Sequence, residues 1–146
     1  MKKLLKVSLI YVILALIGGV FYREFTKFNG FTGVTRLADI HVHLMVLGTF
    51  MFMILALFAQ RTQLLEAKKF KLFMILYNIG LGLTVIMMSV RGITQVLAMN
   101  LSKGLDASIS GMAGIGHILL GISLILLMTI LMKVSEEIKD ESNCSI

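Results

Sequence analysis

The chain has 146 residues, 58% of them hydrophobic, with no proline and a formal charge of +6. That apolar share excludes an ordinary soluble domain and leaves the membrane class. The 14 Lys and Arg residues fall between apolar runs instead of clustering on a soluble face, so they read as topology signals and not as a nucleic-acid footprint.

A membrane span needs about 20 mostly apolar residues. Four runs qualify, and with short links they use nearly the whole chain. The expectation is an all-α fold: one integral membrane four-helix bundle, with helices at about 4–28, 35–62, 69–99 and 107–133. A polar tail, 134–146, is expected to fray.

The first helix opens with Lys2 and Lys3, as a signal peptide would, but no small-x-small cleavage site follows its exit through Gly18-Gly19-Val20-Phe21-Tyr22-Arg23. It is therefore expected to be retained. Phe21, Tyr22, Phe25 and Phe28 suit the headgroup level, and Asn29-Gly30 and Gly33 are turn chemistry. The second helix starts near Thr35 and leads to a basic link before Phe70. The third carries Arg91 about 31 Å above Phe70, at the outer interface, where its charge can snorkel. Asp106 or Ser108 is expected to cap the fourth.

Lys2, Lys3, Lys6, Arg61, Lys68, Lys69, Lys71, Lys133 and Lys139 lie at one end, against Arg23, Lys27, Arg36, Arg91 and Lys103 at the other. The positive-inside rule then places both termini in the cytoplasm. The absence of proline argues against the interrupted helices of many transporters. The single cysteine, Cys144, cannot build a disulfide or a metal site alone. The 11 methionines read as core filler and lipid-facing side chains instead of copper ligands. Asn78 and Gln95 are expected to make hydrogen bonds between helices.

All three histidines, His41, His43 and His117, fall in the outer half of the membrane at comparable depth. Ionisable groups there are costly and mark functional sites. His41 and His43 point about 200° apart on a regular helix, so they cannot ligate one metal together. Each needs its own partner. Gly48 lies on the His41 face, and Ala113, Gly114, Gly116 and Gly121 surround His117. Such small residues leave a groove for a flat macrocycle, or let helices approach closely. Arg36 and Arg91 lie at the outer ends, where guanidinium groups suit haem propionates. Asp39, four residues before His43, is placed to accept that imidazole's other N–H.

The string His41-Val42-His43-Leu44-Met45-Val46-Leu47-Gly48 resembles the His-x-His helix of the haem–copper oxidase and nitric-oxide reductase superfamily. It is also similar to a string in NnrS-like haem–copper membrane proteins, and the whole chain resembles a family of four-helix bacterial membrane proteins. The resemblance covers one helix of four. It implies that His43 ligates a low-spin haem b and His41 a second haem, on opposite sides of the helix. It also implies a homotrimer, with a dimer as the alternative, in which one haem takes His41 from one subunit and His43 from the next. A pairing of His43 or His41 with His117 inside one subunit competes with that ring. The oxidases carry further histidines for copper that have no counterpart here, so no autonomous oxidase activity is expected. The resulting expectation is a b-type haem protein of the bacterial cytoplasmic membrane with bis-histidine ligation, serving electron transfer or haem- or gas-linked redox sensing. The competing expectation is a cofactor-free membrane protein that binds a protein partner or a small solute.

Overall fold

The computed structural model describes the backbone of residues 1–144 and the side chains of residues 1–137. Four long helices follow one another: α1 (Lys2–Phe28), α2 (Leu37–Phe58), α3 (Phe70–Val96) and α4 (Lys103–Cys144). Each is long and apolar enough to cross a membrane. A short 3-10 turn, Leu64–Glu66, lies in the link before α3. Large apolar side chains such as Leu9, Ile17, Val20, Ile54, Ile86 and Ile125 stay exposed on the outer faces, as suits helices solvated by hydrocarbon.

The helices form an open row and not a closed four-cornered bundle. α1 packs along α2, α2 along α3, and α3 along α4, while α1 and α4 share no substantial interface among the described residues. The core follows the seams. Tyr11 stacks on Phe52, which meets Tyr77 edge-on, and Tyr77 continues into Phe73 and Phe70. Gly80 and Gly116 bring α3 and α4 so close that a Cβ on either would touch the other helix's backbone.

Polar side chains tie the seams together. The Tyr11 hydroxyl donates to Asn78 Oδ1 at 2.6 Å, and Gln95 Oε1 accepts the Arg36 backbone N–H at 2.9 Å, so both amides bridge helices as expected. α2 is not α-helical throughout: residues Leu44–Phe50 form a π-helical segment directly after His43. Its wide turns receive outside donors, with Tyr77 donating to the Leu47 carbonyl at 2.8 Å and Ser8 to the Thr49 carbonyl at 2.9 Å. π-helical turns are rare and concentrate at functional sites.

The helix ends differ in places from expectation. Ser102, not Asp106 or Ser108, caps α4, its hydroxyl accepting the Leu105 N–H. Asp106 is taken by Arg91 instead. α4 also runs on as helix to Cys144, through most of the tail expected to fray, while the last two residues lie outside the described ones. α1 and α3 both close with Schellman hydrogen bonds, Phe31 N–H to the Thr26 carbonyl and Met99 N–H to the Thr94 carbonyl. The left-handed residue is Gly30 in the first (φ 59°) and Ala98 in the second (φ 48°).

Candidate functional site: two imidazoles facing one cavity

The site is built at the end of the row away from the chain's first residue, where α2 begins. Thr35 fixes that beginning. Its buried hydroxyl donates to the Gly92 carbonyl of α3 at 3.0 Å and accepts the Leu37 N–H. Gly92 lies so close to Leu37 that a Cβ would stand 2.6 Å from its backbone nitrogen. The start of α2 is thereby seated on α3, and His43 follows less than two turns later on the α-helical part.

His43 and His117 come together within one chain. Their ring centroids are 6.4 Å apart and their planes cross at 85°. Both line a cavity of about 600 Å³ shared by α2, α3 and α4, with Arg36, Asp39, Met87, Met88, Arg91 and Gln95 among its walls. His117 is exposed, so the cavity opens on the α4 side. His41 is elsewhere. It faces α1, where its Nδ1 meets the Ala15 carbonyl at 2.9 Å and Gly19 leaves room for the ring. The opposed directions expected of an i,i+2 pair are what the structure has.

The hydrogen bonds set the proton's position on each ring. His43 Nδ1 lies 2.9 Å from the Asp39 carbonyl, and His117 Nδ1 lies 2.8 Å from the Ala113 carbonyl, each one turn back on its own helix. A carbonyl only accepts, so Nδ1 carries the proton. In the neutral imidazole, Nε2 then holds the free lone pair, the state that ligates a metal.

Two expected roles change. The Asp39 carboxylate does not hold His43; it pairs with Arg36 at 3.1 Å, and only the Asp39 backbone carbonyl serves the imidazole. Gly48 does lie on the His41 face, but it opens no groove. A Cβ there would stand 2.5 Å from the Tyr11 ring, which fills the space. Around His117 the small residues divide. Gly116 is helix contact against Thr84, whereas Gly114 and Gly121 have open space beside them.

Arg91 reaches across to α4, pairing with the Asp106 carboxylate and donating to Ser110 Oγ at 2.6 Å. Ser110 and Asp106 lie seven and eleven residues before His117, on the same helical face by the 3.6-residue period. That spacing was readable, but nothing in the sequence said that Arg91 would meet that face.

Among the described residues, no three or more His, Cys, Asp or Glu side chains gather to hold a metal ion. The cavity therefore offers two imidazoles and not a complete cage. Two ligands suffice for a metal whose other positions a flat macrocycle fills, as in haem. The two ring centroids lie 6.4 Å apart, close enough for one group to reach both imidazoles. The cavity also has the size of a prosthetic-group pocket.

Across residues 1–134 the chain matches one protein family, described as "protein of unknown function (DUF2871)", and it belongs to that family. No curated protein and no solved structure matches it.

Proposed function

We propose that the protein is a b-type haem-binding membrane protein in which His43 and His117 of one chain would hold the iron. The juxtaposition of these two imidazoles across one cavity carries the reading. Bound haem would supply a one-electron couple. The Asp39 and Ala113 carbonyls hold the Nδ1 protons and leave each Nε2 lone pair free for ligation. Arg91 and Arg36 also line the cavity, each already paired with a carboxylate, Asp106 and Asp39, so a propionate there would share or displace those partners. Two protein ligands leave no open position on the iron, which favours electron transfer or redox sensing over oxygen chemistry.

The basic residues at the end holding Met1 and the 61–71 link put both termini on the cytoplasmic side of a bacterial membrane in this reading. The homotrimer, in which one haem would take His41 from one subunit and His43 from the next, is the competing arrangement, and the His43–His117 pairing does not require it. His41, turned toward α1, is not needed as a ligand.

The test is an absorption spectrum of protein expressed with ample haem, oxidised and then dithionite-reduced. The reading expects a Soret band that shifts on reduction, with resolved α and β bands. Haem-replete protein without a Soret band refutes it and favours the cofactor-free alternative.

A further inference from the structure

The opposite end of the molecule holds a second cavity, of about 570 Å³, between the α2–α3 link and α4. Lys68 and Lys69 line it from the link and Lys133 from α4. Lys68 and Lys69 have no ion-pair partner among the described residues, and Lys133 has only a 4.0 Å contact with Glu137, both of them exposed. These cations are uncommitted. Ile130 and Val134 lie buried at the same place and give the cavity an apolar floor.

Depth matters as much as charge. α3 begins at Phe70, directly after Lys69, and the apolar stretch of α4 ends at Met132, directly before Lys133. The lysines therefore stand where hydrocarbon gives way to headgroups. Ile125 and Ile122 lie four and seven residues before Thr129, a cavity-lining residue, and so continue its face into the hydrocarbon. Both are exposed, at 69% and 52%.

We propose that this groove binds the phosphodiester headgroup of an anionic phospholipid, with an acyl chain lying along Ile125 and Ile122. Basic pockets between spans on the cytoplasmic side favour such headgroups. Glu66 and Glu137 also line the groove. They disfavour a bare phosphate and can accept hydrogen bonds from headgroup hydroxyls, which selects a phosphoglycerol lipid. The proposal does not rest on the haem reading.

The full-length protein in neutral detergent is titrated with phosphatidylglycerol, with phosphatidylcholine, or with soluble glycerol 3-phosphate. Lipid retention is read by native mass spectrometry and thermal unfolding in parallel. One phosphatidylglycerol should be retained in preference to phosphatidylcholine and raise the melting temperature, while glycerol 3-phosphate has no effect. Lys69→Gln and Lys133→Gln should each weaken retention about fivefold, whereas Lys2→Gln/Lys3→Gln, at the same end but outside the groove, should not. Retention unchanged in both single variants, or lost equally in the Lys2/Lys3 variant, overturns the site. Equal protection by glycerol 3-phosphate overturns the lipid as its occupant.

Discussion

Gly92 offers a sharp test of how the site is seated. An alanine Cβ there would stand 2.6 Å from both the backbone nitrogen and Cγ of Leu37, a residue that is itself fully buried. The backbone cannot yield locally, because Thr35 bonds the Gly92 carbonyl and Gln95 bonds the Arg36 N–H on either side of the contact. Gly92→Ala must therefore push the start of α2 off α3. Overpacking of this kind costs about 1–3 kcal/mol, or a melting-temperature loss of roughly 3–10 °C for a chain of this size. Gly82 is the control. It lies on the same helix with nothing within 4 Å of an added Cβ, so Gly82→Ala gains helix propensity with no clash. Thermal unfolding of both variants in one detergent gives the comparison. Gly82→Ala should match or exceed the wild type, and Gly92→Ala should fall well below it. If Gly92→Ala melts with or above Gly82→Ala, the seating of α2 described here is wrong.

The two Schellman ends make an internal pair: Ala98→Gly should stabilise by about 0.5–1 kcal/mol, and Gly30→Ala should destabilise by about 1 kcal/mol, read by the same melts. Tyr77→Phe removes the donor to the Leu47 carbonyl and should cost about 1 kcal/mol without changing helix content by circular dichroism. Asp106→Asn leaves Arg91 with Ser110 and the Asp106 backbone carbonyl, and since the Asp106 side chain is half-exposed, the expected loss stays below about 1 kcal/mol. A larger loss would mean that this ion pair, and not the Gly80–Gly116 contact, holds α4 on α3.

The helices were legible because hydrocarbon imposes long unbroken apolar runs, and no other structure satisfies their backbones there. The directions of His41 and His43 were legible too, since i,i+2 geometry on a helix leaves little choice. Their partners were not. Spacing says that each histidine needs one, but the answer depends on which helices touch, and the open row is a tertiary fact. Gly48 shows the same limit. A small residue invites close approach by something, and Tyr11, 37 positions away, is what arrives. The π-helical segment has no proline, and its only local cue is Gly48-Thr49; its outside donors, Tyr77 and Ser8, come from two other helices. Asp106 sits in the first turn of α4, as a capping residue would nearly do, and only the packing shows it answering Arg91.

The claim at the centre is that one iron lies between His43 and His117 of the same chain. The direct measurement is the reduced absorption spectrum of His41→Ala, His43→Ala and His117→Ala, each purified from haem-replete cells. The account predicts that His43→Ala and His117→Ala each lose the bis-imidazole α band while His41→Ala keeps it. A spectrum lost in His41→Ala and kept in His117→Ala would contradict it, and would place each haem between two subunits instead.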